Sequence, residues 1–221
     1  MKYKFTDETK EVGGHVLHRI VATCCFDICH HQIQKGTLGG WIEKKENLQG
    51  EAWVSGEAVI HDDAVVTGKA YVYDHARICD SATVDGNAII GGHAFVGGTS
   101  TVSDDAVVLN EAIINNAHLY DQAHVVDKAI VSNGAELYGN TTVCAKAEVR
   151  GAKLFDHVII KSNAYIHSNL TVLGDSVLGR NNRLYRSRCY HKDCGMIVSF
   201  VIAIVLLEFY LLINMEDELR K

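Results

Sequence analysis

From Leu48 to Leu178 an aliphatic residue returns every six positions, and this period constrains the fold more than any other feature of the chain. The run is Leu48, Val54, Ile60, Val66, Val72, Ile78, Val84, Ile90, Val96, Val102, Val108 and Ile114. It continues as Leu119, Val125, Val131, Leu137, Val143, Val149, Leu154, Ile160, Ile166, Val172 and Leu178. Two positions before most of these stands a small residue, as at Ala52, Ala58, Ala64 and Ala70. Two positions after most of them stands Gly, Asp or Asn, as at Gly56, Asp62, Gly68 and Asp74. Apolar and polar residues alternate, so the small and the aliphatic side chain point to one side of a short strand. Gly, Asp and Asn best tolerate the left-handed backbone of a tight corner. A helix would need apolar spacing near 3.6, which this stretch lacks.

Six residues make one side of a triangle, three sides make a coil, and coils stack about 4.8 Å apart with parallel strand pairing. The twenty-three units predict an all-β fold, a parallel β-helix of seven to eight triangular coils. Its length is roughly 35 Å at that spacing. The phase slips by one residue between Ile114 and Leu119 and again between Val149 and Leu154. Both slips fall on the same corner and predict a tightened turn there. The chain has no proline and 19 glycines in 221 residues, which agrees with corners built from Gly, Asp and Asn.

Residues 1–47 do not follow the period. Tyr3-Lys4-Phe5, the turn Glu11-Val12-Gly13-Gly14 and the run Val16–Ala22 predict a β-hairpin. An open β-helix end exposes strand edges and core, so residues 1–47 are expected to cap it. The β-helix is then expected over 48–180 and a basic linker over 181–195. Met196–Ile213 is almost unbroken apolar sequence, long enough for a transmembrane helix, and a charged tail fills 215–221. Basic residues crowd the near side of the apolar segment, so 196–214 is expected to anchor the β-helix at the cytoplasmic face of a bacterial inner membrane. Glu208 inside the segment favours the alternative, a C-terminal helix packed on the fold in a cytoplasmic protein.

The formal net charge of −6 lacks the basic excess of a nucleic-acid binder. Seven cysteines, odd in number and irregularly spaced behind a polar start, predict free thiols in a reducing compartment.

The repeat resembles the left-handed parallel β-helix of the hexapeptide-repeat family, whose commonest members are acyltransferases. The segment Lys35-Gly36-Thr37-Leu38-Gly39-Gly40-Trp41-Ile42-Glu43, followed by Glu46-Asn47-Leu48, is similar to a prophage and enterobacterial branch labelled as acetyltransferases. The resemblance covers about residues 1–180. It implies the left hand, which spacing alone does not give. It also implies a homotrimer about an axis parallel to the rod, and acetyl-CoA as cofactor if the chain is an enzyme.

Outward side chains distinguish the three faces. Face one, centred on Val54, Val72 and Ile90, carries Trp53, Tyr71, Tyr73, Ile89, Val107, Leu109 and Val126, an apolar set expected at an oligomer interface. Face two, centred on Val66, Val84 and Val102, carries Val65, Thr67, Thr83, Asp85, Thr101 and Ser103 and is mostly polar. Face three is mixed, with His61, Arg77, Cys79, Phe95 and Ile113.

At one corner Glu57, His75, His93 and Glu111 hold the same repeat position on four successive coils, and Asp74 precedes His75. Such a ladder offers three readings. It is a solvated corner, a general base (His93 or His75, with Glu111 as carboxylate), or a metal site through His75 and His93. In the acyltransferases that the repeat resembles, a histidine of the repeat serves as base in the cleft between subunits. Cys24, Cys25, Cys29, His30 and His31 are dense enough for zinc but lack paired C-x-x-C spacing. His61 and Cys79 stack on face three as an incidental pair.

The expected function is a non-catalytic trimeric scaffold or binding module, membrane-anchored and of prophage type. The alternative is an acyl-CoA-dependent acetyltransferase acting on a small hydroxyl or amine.

Overall fold

In a computed structural model the chain is described over residues 2–167, 169–179 and, as backbone only, 183–185. The apolar segment 196–214, the tail 215–221 and the linker 181–195, apart from the strand Arg183–Tyr185, lie outside these residues. Among the described residues no helix is long and apolar enough to cross a membrane.

The hexad period becomes a parallel β-helix of about eight turns. Each coil contributes one short strand to each of three sheets, so a strand pairs with the strands one coil below and one coil above. Arg77, for example, stands between Val59 and Phe95. The alanine and aliphatic rows close the interior: Ala76, Ile78, Ala94, Val96, Ala112 and Ile114 are fully buried. Small residues near the corners and branched ones mid-side let three sheets close on one shared interior.

The corners explain the choice of polar residue. Asp74, Asp104, Asn110 and Asp127 have φ between 58° and 66°, the left-handed region. Aspartate does more than tolerate that conformation. Asp80 Oδ2 accepts the Gly98 N–H at 2.7 Å, Asp121 Oδ2 accepts the Gly139 N–H at 2.9 Å, and Asp127 Oδ2 accepts the Ala145 N–H at 2.9 Å. Each carboxylate therefore ties its own turn to the turn one coil above. At the two phase slips the register simply shortens by one: Ile113 pairs with Ile130, and Glu148 with Tyr165. The missing residue is taken out of the corner between faces three and two, where Asn116 and Gly151 have φ of 51° and 61°.

Two strands before the repeat, β1 (Tyr3–Val12) and β2 (His15–Ala22), form the antiparallel hairpin. A second hairpin, β3 (Phe26–Ile28) and β4 (His31–Ile33), follows and has no counterpart in the sequence expectation. Strand β5 (Leu38–Ile42) pairs antiparallel with β2 and parallel with Val59–Ile60. The sheet of face three thus continues into the first hairpin, and strand polarity reverses at β2/β5. Leu17, Ile20 and Ile42 are fully buried there. Gly39 and Gly40 make the passage possible. A Cβ on Gly39 would lie 2.5 Å from Ile20 Cγ1, and one on Gly40 would lie 2.7 Å from the Ala58 carbonyl. The free edge strand β1 is dense in charge and carries a register shift between Phe5 and Thr9, both of which discourage edge pairing.

Candidate functional site

The corner ladder forms as the spacing predicts. Glu57 N–H donates to Asp74 O, His75 N–H to Gly92 O and His93 N–H to Asn110 O, which stacks the row coil on coil. The His75 and His93 rings lie 4.8 Å apart and 3° from parallel. Both residues are exposed, and among the described residues neither ring makes a hydrogen bond or ion pair. The two carboxylates are engaged elsewhere. Glu111 pairs with Lys128 at 3.0 Å. Glu57 turns to the cap, accepting from Lys10 Nζ at 3.1 Å, Arg19 Nη1 at 2.8 Å and Trp41 Nε1 at 3.0 Å. Partial burial pushes the Glu57 carboxyl up, but those three donors outweigh it and hold the group below its usual range. The ladder is thus a pair of stacked imidazoles without an orienting carboxylate.

Face one differs from a continuous apolar surface. The second hairpin folds back over its lower end, with Phe26 edge-on to Trp53 at 5.3 Å and His31 against Tyr71 at 5.6 Å. Trp53 is consequently fully buried by its own chain. Tyr71 and Tyr73 stack on each other at 5.1 Å, and Ile89, Val107, Leu109 and Val126 are half-buried. Beside the hairpin runs an open groove of about 680 Å³, lined by Asp27, Cys29, Glu51, Lys69 and Asp105 among others. Neither His75 nor His93 lines it. Cys24 and Cys25 are exposed, while Cys29 and His30 form the hairpin turn with φ of 46° and 63°. Higher up, face two carries a second aromatic stack, Tyr120, Tyr138 and Phe155, with centroids 4.9 and 4.8 Å apart.

The densest chemistry lies where the cap meets the first coils. His15, which opens β2, lies with Nδ1 3.2 Å from Glu43 Oε1 and Nε2 3.2 Å from Asp62 Oδ1. Its ring stacks on His61 with centroids 4.6 Å apart. His61 is 1 % exposed, and its Nδ1 lies 2.8 Å from Asp62 Oδ2. Arg77 Nε donates to His61 Nε2 at 3.0 Å, so the imidazole proton sits on Nδ1 and is donated to Asp62. Asp62 also donates its own N–H to Glu43 Oε2 at 2.6 Å. Burial and the Arg77 charge push the His61 imidazole below its ordinary value, against the opposing pull of Asp62. Burial raises Glu43 and Asp62. For Glu43 the bonds with His15 and the Asp62 amide reverse that, and for Asp62 the Asp80 amide and the two histidines do. Cys79, next in the row, is pushed up to about 11, first by burial and then by Asp80, and is a thiol.

Among the described residues, the clusters bringing three or more possible metal ligands together are His15–Glu43–His61–Asp62 and Asp62–Cys79–Asp80. His75, His93 and the Cys24–His31 stretch belong to neither. From sequence alone His61 and Cys79 stand as an incidental pair, and neither His15 nor Glu43 is singled out. A signal was available: Glu43, His61 and Cys79 are eighteen residues apart, one coil each, so they share one outward row of face three. No protein family and no curated protein matches this chain.

Proposed function

We propose that this protein is a non-catalytic β-helical rod, a homotrimeric scaffold or binding module of the hexapeptide-repeat, prophage type. Residues 196–214 hold it at the cytoplasmic face of a bacterial inner membrane. The observation that carries this reading is the corner ladder: His75 and His93 stand exposed, with their flanking carboxylates bonded to Lys10, Arg19 and Lys128. A general base needs an orienting partner and a site that excludes water, and among the described residues of one chain the ladder has neither. The half-buried Ile89, Val107, Leu109 and Val126 above the second hairpin supply the trimer contact.

The second reading, an acyl-CoA-dependent acetyltransferase, is favoured by one observation. The stacked histidines border face one, so a neighbouring subunit seated there would convert their corner into a cleft. The test is calorimetric titration of the full chain in detergent with acetyl-CoA and CoA, alongside sedimentation. A trimer that gives no heat at millimolar ligand supports the scaffold. Micromolar binding that weakens in His93→Ala replaces it with the enzyme.

A further inference from the structure

We infer that His15, Glu43, His61 and Asp62 form a binding site for a divalent transition metal of the zinc class, locking the cap to the first coils. Two imidazoles and two carboxylates converge, each offering a donor atom within 4.8 Å of the others. Nitrogen and carboxylate oxygen in equal number suit zinc and its neighbours, whereas calcium and magnesium prefer all-oxygen shells. The four residues come from β2, the turn after β5, and the first coil, so a bound ion would cross-link three segments at the rod's end where His15 already reaches Glu43 and Asp62. The charges agree as well. Glu43 and Asp62 supply two negative charges for a divalent ion once both imidazoles are neutral.

Arg77 defines how the ion enters. Its Nε donates to His61 Nε2, which keeps the proton on Nδ1, the nitrogen facing Asp62. Coordination through Nδ1 moves that proton to Nε2, where it meets the Arg77 N–H head-on. The metal and Arg77 therefore compete for His61, and binding requires the guanidinium to swing outward. Glutamine at position 77 offers a carbonyl that accepts the Nε2 proton, the outer bond that metal-ligating histidines normally make.

The experiment titrates the full chain in detergent with zinc against a chromophoric chelator, and records the cobalt absorption spectrum in parallel. Expected are one zinc per chain, a cobalt spectrum without thiolate charge transfer, and a metal-dependent rise in melting temperature. His15→Gln and Glu43→Gln should each weaken zinc by about tenfold or more. Arg77→Gln should tighten it, a gain that loss of folding cannot imitate. His75→Ala with His93→Ala should change nothing. No zinc bound at micromolar free metal overturns the site. So does zinc that survives His15→Gln and Glu43→Gln but disappears when Cys24, Cys25 and Cys29 are changed to serine.

Discussion

The rod and its capped end are held by different means. In the coils, neighbours are always one turn away in sequence. The same backbone bond recurs at every level, as from Tyr71 N–H to Ala88 O and from Ile89 N–H to Ala106 O. An alanine-plus-aliphatic pair fills the interior at level after level, and corner carboxylates such as Asp62, Asp80, Asp121 and Asp127 reach the turn above. At the cap nothing recurs. The cap has one chance to dock, and it does so through long, specific side chains: Lys10, Arg19 and Trp41 on Glu57, and His15 on Asp62. A stack of identical units carries its stability in repetition. The unit that breaks the repetition must carry it in individual contacts, and those contacts bring together the ionisable groups that chemistry needs.

Three substitutions probe this difference. Ile114→Ala removes a fully buried side chain midway along the rod. It should cost about 2–5 kcal/mol and lower the whole unfolding transition in a denaturant titration, because coils above and below share the interior. A transition that splits, with the cap melting first, would mean that the rod is less cooperative than its stacking implies. Gly40→Ala should cost about 1–3 kcal/mol. Its Cβ would stand 2.5 Å from Val54 Cγ1 and 2.7 Å from the Ala58 carbonyl, and that backbone cannot move without shifting the coil. Here the loss should show first as faster amide exchange in β2 and β5, with upper-coil amides unchanged.

Glu57→Gln should have the smallest effect, up to about 1 kcal/mol, because the carboxylate is 44 % exposed and solvent screens its pairs. Its signature is in pH. The folded Glu57 carboxyl is held below its unfolded value, so its contribution is complete above the ordinary glutamate range. That contribution is lost as pH falls through the lowered folded value. Exchange of the β2 amides in the parent should therefore quicken on acidification, and the variant should show less of this dependence.

The rod was legible in the sequence almost to the residue. The six-residue period assigns every inward position from Leu48 to Leu178, and the two slips locate the corners where Asn116 and Gly151 turn. Even the His75–His93 stack follows from spacing, since equal positions on successive coils must lie one strand separation apart. The fate of Glu57 did not follow. Its place in the ladder is periodic, but its partners Lys10 and Arg19 lie in a hairpin with no period.

What the sequence determined by itself is therefore everything governed by a constant offset: fold class, coil number, interior rows, corner residues and outward ladders. Only the tertiary structure decided that the second hairpin would lie across Trp53 and bury it. Only the tertiary structure brought His15 onto His61, joining a cap strand to the first coil. The physical reason is one of register. Within the repeat, hydrogen bonding propagates a single spacing from coil to coil. At the cap, the spacing depends on how strand β2 turns over Gly39 and Gly40 and where its side chains find room to pack.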